Sequence, residues 1–272
     1  SPKTVSVGEL FAGALVPGLV LVGFYLLYLF LLARSRPGLM PPDTAEDGER
    51  VGLGRLLFLA SGPLVLIVAV LGSILKGIAT PTEAASVGAV GAMLLAMIGR
   101  QFNFRTLKDV VYRTTRVTAM VFMILLGASL FSLVFRGLGG DEMIADFLTG
   151  LPGGVVTAVV LVMVVMFLLG FVLDFIEITF VVVPIIGPVL MAMGLDPIWL
   201  GVMIALNLQT SFLTPPFGFS LFYLRGVCPP ELPTGAIYRG VMPFIAIQLL
   251  TLGLLAAFPQ IVTWLPGVIY SG

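Results

Sequence analysis

From Leu10 to Ala33 the chain runs without one charged side chain. At about 1.5 Å of rise per residue, a helix of that length spans a hydrocarbon core of about 30 Å. Its interior Pro17 predicts a kink, because proline removes one helical hydrogen bond. Comparable runs recur at Leu56–Leu75, at the segment reaching Ile98, at Val117–Phe135 and at Gly240–Val262. Charged residues make up 10% of the 272 and apolar residues 59%, whereas a soluble domain carries about 25% charged residues. The pattern therefore predicts an all-α polytopic membrane protein whose surroundings are lipid bilayer and other apolar helices.

The balance of charge narrows the function. Fourteen Lys and Arg face fourteen Asp and Glu, so there is no basic footprint for a nucleic acid. The absence of histidine removes His-based catalysis and argues against a transition-metal site. No nucleophile–base pair stands out for an intramembrane enzyme. The single cysteine, Cys228, has no partner for an internal disulfide. Residues 1–9 lack the basic region and small-residue cleavage pattern of a signal peptide. With no initiator Met, the chain reads as the C-terminal part of a longer protein.

The polar connections define the topology. Arg34–Arg55 is a long hydrophilic loop. Arg100–Arg116 reads as an amphipathic surface helix, Asp141–Leu148 as a short acidic one, and Pro230–Arg239 as a surface piece. Placing the Arg34–Arg55, Arg100–Arg116 and Arg225–Arg239 segments in the cytoplasm leaves only Lys3, Lys76 and Arg136 outside. The positive-inside rule then puts both ends of the chain on the outer face. Thr80 or Thr82 is expected to cap the third span with Glu83 in its first turn. The small face of Ala85, Gly88, Ala89, Gly91 and Ala92 suits close helix packing.

Two segments carry candidate chemistry. Val155–Leu173 and Ile178–Met193 are apolar arms joined by Asp174-Phe175-Ile176-Glu177. They form either two spans with a cytoplasmic turn of solvated acids, or a re-entrant hairpin ending near mid-membrane. An acidic tip without a base, a short proline-containing second arm and the broken segment that follows favour the hairpin. Acids at that depth are functional candidates by default, and the amides from Glu177 through Thr179 would start the second arm with a positive dipole end.

The broken segment, Pro197–Val227, holds Asn207, Gln209, Thr210, Ser211 and Thr214 before Pro215-Pro216. Asn207, Thr210, Ser211 and Thr214 share one helical face. The two prolines lack the amides that would bond the carbonyls of Ser211 and Phe212. Hydroxyl, amide and carbonyl oxygens are what a hard alkali ion requires. The competing view is a kink whose polar groups only glue helices together, in a channel-like or scaffold protein.

Three stretches resemble the large, DctM-like membrane subunit of tripartite ATP-independent periplasmic (TRAP) transporters, in its C-terminal half. Gly77-Ile78-Ala79-Thr80-Pro81-Thr82-Glu83-Ala84-Ala85 is similar to the family's Gly-Ile-x-Thr-Pro-Thr-Glu-Ala-Ala signature. Leu173-Asp174 matches the start of its second hairpin tip. Asn207-Leu208 with Leu213-Thr214-Pro215-Pro216 resembles its unwound helix. The tip departs at Phe175-Ile176-Glu177, where the family commonly has Pro-Thr, and Gln209-Thr210-Ser211-Phe212 replaces a more apolar stretch.

The resemblance implies the second inverted repeat of an elevator-type transporter that imports organic acids with sodium as coupling ion and no other cofactor. Its segments would be a connecting span and loop (1–55), scaffold and arm helices (56–152), the transport hairpin and broken helix (153–228), and a surface helix with the last span (229–272). It implies partners: a small four-helix membrane subunit, a periplasmic binding protein and the N-terminal half of the large subunit. Asn207, Thr210, Ser211, Phe212, Thr214 and Asp174 would then bind the cation. Asp174, Glu177, Thr179, Gln209, Pro215 and Pro216 would line the substrate site. The expected location is the bacterial inner membrane.

Overall fold

A computed structural model describes residues 5–36, 38, 53–215, 218–229 and 232–270. The expected hydrophilic loop at Arg34–Arg55 lies largely outside these residues, as does Pro216. The described residues form helices and no strand. Among them, Val7–Ser35, Pro81–Ile98, Phe104–Gly137, Phe175–Ala192 and Thr234–Ala257 are long and apolar enough to cross a membrane. The protein is an all-α, multi-pass membrane protein. Its chain clusters into two compact units, one of Arg113–Thr263 and one of Ser6–Tyr112 with the segment from Trp264.

In the second of these units, helix α1 (Val7–Ser35) starts three residues before the expected span. Ser6 and Glu9 close a capping box there, with the Glu9 amide donating to Ser6 Oγ at 3.1 Å and the Ser6 amide to Glu9 Oε2 at 2.6 Å. Helices α2 (Leu53–Leu75) and α3 (Pro81–Ile98) pack antiparallel through Gly88 and Gly91 of the expected small face, whereas Ala85, Ala89 and Ala92 of that face are exposed, because the helical turn carries them away from α2. A Cβ at Gly91 would lie 2.3 Å from Leu66 Cδ1, and one at Gly88 3.3 Å from Val70 Cγ2. Glycine is what lets the two backbones approach. Thr80, rather than Thr82, caps α3: the Glu83 amide donates to Thr80 Oγ1 at 3.3 Å, and the Thr80 amide returns to Glu83 Oε2 at 2.8 Å.

Helix α4 (Phe104–Gly137) corrects the expectation of a surface helix followed by a separate span. It is one helix of 34 residues, begun by Asn103, whose Oδ1 accepts from the Thr106 amide at 2.7 Å. No glycine or proline interrupts Phe104–Leu126, so nothing breaks the ladder where the basic segment meets the apolar one. The acidic helix α5 (Gly140–Thr149) follows, and Arg136 Nε reaches Asp141 Oδ2 at 3.1 Å.

The first arm is α6 (Gly154–Leu169). The second runs Phe175–Ala192 as a single turn α7 (Phe175–Glu177), a π-helical turn (Ile178–Val182) and α8 (Val183–Ala192). The π turn lies immediately before Pro184. The broken segment divides as expected, into α9 (Pro197–Leu213) and α10 (Phe219–Val227), with Thr214, Pro215 and Gly218 outside both helices.

The last span is α11 (Thr234–Ala257). It absorbs most of the expected surface piece and stops five residues before Val262, because Pro259 begins a new helix, α12 (Gln260–Tyr270). Trp264 stands 61% exposed on α12, and the Tyr270 hydroxyl reaches back to the Leu75 carbonyl at 3.4 Å.

Candidate functional site

The site is built where α9 lies along α6. Asn207 Nδ2 donates to the Met163 carbonyl at 2.9 Å, and Ser211 Oγ donates to the Phe167 carbonyl at 2.8 Å. Donors four residues apart on α9 meet acceptors four apart on α6 in the same order, so the two helices run parallel. Phe167 lies in the last turn of α6, where carbonyls lose their helical partners. The Phe171 amide turns to the Leu168 carbonyl instead, at 3.2 Å. Ser211 therefore completes the end of α6 from a neighbouring helix. A Cβ at Gly170 would stand 2.2 Å from Ser211 Oγ, so only glycine fits where α6 ends.

The turn between the arms differs from the sequence reading. Gly170 ends α6, residues 170–174 form the turn, and Asp174 caps the second arm by accepting the Phe175 amide on Oδ1 at 2.7 Å. Phe175, Ile176 and Glu177 are already helical. The expected start of the arm at Glu177–Thr179 is thus moved back, and the free first-turn amides belong to Ile176 and Glu177. Bulky apolar residues made a poor turn, and the capping carboxylate settled the register. Glu177 and Asp174 are half-buried, while Thr179 is exposed and donates its hydroxyl to the Phe175 carbonyl at 2.7 Å.

The tip and the break touch. The Phe175 ring meets Phe212 edge to face with centroids 6.4 Å apart, and Gly170 abuts Ser211. Both sides of the 170–174 turn therefore sit on the C-terminal end of α9.

At the break the carbonyls expected to be free are occupied. The Ser211 carbonyl accepts from the Thr214 amide at 3.0 Å, and the Phe212 carbonyl from Ser220 Oγ at 2.8 Å. Backbone released by proline in an apolar medium is re-satisfied by nearby hydroxyls and tighter turns. Each carbonyl oxygen nonetheless has a second lone pair. A Cβ at Gly218 would meet the Phe212 oxygen at 2.8 Å and the Thr214 oxygen at 2.9 Å, so these two oxygens converge over a residue without a side chain.

The hydroxyls are equally committed. Thr210 Oγ1 donates to the Leu206 carbonyl at 2.7 Å and Thr214 Oγ1 to the Thr210 carbonyl at 2.6 Å. A hydroxyl has one hydrogen to give, so Thr210, Ser211 and Thr214 offer only lone pairs to anything else. Asn207, Thr210 and Ser211 are at most 2% exposed, and Thr214 and Pro215 are half-buried. Gln209 is exposed on the far side of α9 and does not join this group.

Residues 3–261 match the family described as the tripartite ATP-independent periplasmic transporter DctM component. The chain belongs to that family. The chain is similar to the sialic acid TRAP transporter large permease protein SiaM of Vibrio cholerae, 29% identical over 97% of the chain and 61% of the relative. It is similar to the C4-dicarboxylate large permease protein DctM of Pseudomonas aeruginosa, 31% identical over 97% of the chain and 59% of the relative. The ectoine large permease protein TeaC of Halomonas elongata is 30% identical over 96% of the chain and 60% of the relative. The chain thus spans about three fifths of the length of these relatives. They are named as permeases, not enzymes.

Beside the polar contact lies an open groove of about 420 Å³ between α6, α9 and α11, with Asn207 the one polar residue in a lining that includes Met163, Phe167, Met203 and Leu252. Sequence reasoning missed Gly170 and Gly218, whose role is to be absent as side chains. It also missed Gln248 and Thr251 on α11, at 2% and 0% exposure. A glutamine in an otherwise apolar span was the available signal.

Proposed function

We propose that this chain is part of the large permease subunit of a sodium-coupled secondary transporter that imports organic acids delivered by a periplasmic binding protein. The carrying observation is the contact between the 170–174 turn and the end of α9, where hydroxyls and carbonyls present lone pairs in an apolar setting. The names of the relatives support the substrate class, since sialic acid and C4-dicarboxylates are organic acids.

On this reading Asn207, Thr210, Ser211 and Thr214 with the Phe212 carbonyl form one wall of the cation site, and Asp174 supplies the charge. Hydroxyls already donating to carbonyls can offer their lone pairs to a cation without giving up those hydrogen bonds. Glu177, Thr179 and Pro215 flank the space for the anion, where the first-turn amides of the second arm favour a carboxylate. Discontinuous helices meeting at mid-membrane suit alternating access. In that arrangement the arms enter as a re-entrant hairpin, residues 153–228 move as a transport element against 56–152, and both ends of the chain face the periplasm. A small four-helix subunit and the N-terminal half of the large subunit complete the assembly in the inner membrane.

In the full-length protein, Thr214→Val and Asp174→Asn are expected to abolish sodium-dependent uptake while membrane insertion is kept. Normal uptake by both variants removes these residues from the mechanism. The hydrogen bonds from Asn207 and Ser211 to α6 also suit a second reading, a scaffold or channel-like subunit in which they serve packing alone. Counterflow separates the two, because a carrier exchanges labelled for unlabelled substrate and a channel does not concentrate label.

A further inference from the structure

A second groove, of about 310 Å³, runs along α4 from Leu125 to Arg136, with Phe180 and Pro184 of the second arm as its other wall. The α4 residues that line it, among them Ala128, Ser132 and Arg136, recur at three- and four-residue intervals and so share one helical face. At about 1.5 Å per residue that face is about 16 Å long. One leaflet of a hydrocarbon core of about 30 Å is about 15 Å deep. The groove therefore has the length that one acyl chain occupies, and about half of what a spanning helix would need.

Its mouth is polar where such a chain carries its headgroup. Arg136 is the first charged residue after Arg116, so it marks the level at which the apolar run of α4 meets the membrane surface. Its Nε donates to Asp141 Oδ2 at 3.1 Å, and both side chains are about half exposed. The terminal nitrogens of Arg136 have no partner among the described residues, and a guanidinium fork suits a phosphate. One turn deeper, the Ser132 hydroxyl also lacks a partner among the described residues. It stands where the ester carbonyls of a glycerolipid would lie. Ser129, beside it, spends its hydrogen on the Leu125 carbonyl at 2.8 Å.

The charges at the mouth select the headgroup. Asp141 neutralises Arg136, and Glu142 follows it, exposed in the first turn of α5. A headgroup with net negative charge is repelled by these two carboxylates. One with an ammonium next to its phosphate sets the phosphate on Arg136 and the ammonium on the remaining oxygen of Asp141. A quaternary ammonium has no hydrogen to donate there, so a primary amine is favoured.

We infer that this groove holds one chain of a phospholipid with an ethanolamine headgroup, its phosphate on Arg136 and its ammonium on Asp141. Such a lipid binds whatever the coupling ion or the transported substrate.

The test uses the full-length large subunit with its small partner, purified and delipidated in detergent. Dioleoylphosphatidylethanolamine is titrated in, and bound lipid is counted by native mass spectrometry. The parent is expected to hold one such lipid at least tenfold more tightly than phosphatidylcholine or phosphatidylglycerol with the same chains. Arg136→Gln is expected to weaken that binding roughly tenfold or more, the scale of one lost charged hydrogen bond. Asp141→Asn, which leaves Arg136 without its counter-charge, is expected to remove the preference over phosphatidylglycerol. Ser132→Leu, which fills the groove, is expected to weaken all three lipids alike. Equal affinity for the three lipids in the parent overturns the inference and leaves an unselective lipid shell. Parent-like binding by Arg136→Gln, or an unchanged preference in Asp141→Asn, overturns it as well. If Arg136→Gln does not assemble, Ser132→Leu takes its place, and parent-like binding by that variant has the same force.

Discussion

Two polar stretches interrupt the apolar runs beside a proline, and they are held in opposite ways. At Thr80-Pro81-Thr82-Glu83 the bonds close within four residues, and Thr80 and Glu83 are exposed. At Asn207–Pro215 the two side-chain donors that reach out of the helix meet residues 44 positions away on α6, from side chains at most 2% exposed. The first stretch needs nothing beyond itself to start a helix. The second makes sense only with α6 beside it, so its geometry is a property of the fold. A motif can look equally specific in both places while only one encodes its own structure.

The contrast is open to measurement through heat unfolding of the full-length protein in choline chloride. Gly170→Val is expected to do most, because its Cβ has no room beside Ser211 Oγ. Overpacking of this kind costs about 1–3 kcal/mol, and uptake should fall with it. Ser211→Ala comes next at about 1–2 kcal/mol, the cost of leaving the Phe167 carbonyl without a donor. Thr80→Ala should cost about 1 kcal/mol, the usual value of a lost N-cap. Glu83→Gln should cost least, since an amide oxygen can still accept the Thr80 amide hydrogen and only the charge at the helix N-terminus is lost. Should the Thr80 variant prove more damaging than the Ser211 variant, the distinction between local and tertiary control fails.

The same distinction explains which features were readable in advance. The apolar spans, a threonine cap on α3 at Thr80 or Thr82, the close packing of Gly88 and Gly91 and the helix break before Pro215 follow from hydropathy, capping and proline chemistry, all of which act over a few residues. The continuity of α4 was missed because a change from basic to apolar composition is not a helix breaker. The position of the tip was missed because Asp174 was read as one of two turn acids, when its extended backbone and its bond to the Phe175 amide make it a cap. The carbonyls of Ser211 and Phe212 were expected to stay open because Thr214 and Ser220 were not seen as their donors. Gly170 and Gly218 gave no signal at all, since a close approach between segments distant in sequence leaves no local trace.

The two rungs joining α9 to α6 also constrain movement. Because both donors and both acceptors repeat every four residues, a slip of one residue breaks both bonds at once, and the next matching alignment lies a full helical turn away, about 5.4 Å. The interlocked pair therefore resists gradual shear. Any excursion this protein makes has to carry the first arm and the helix beside it together as one plank, with the bending left to the segments at either end.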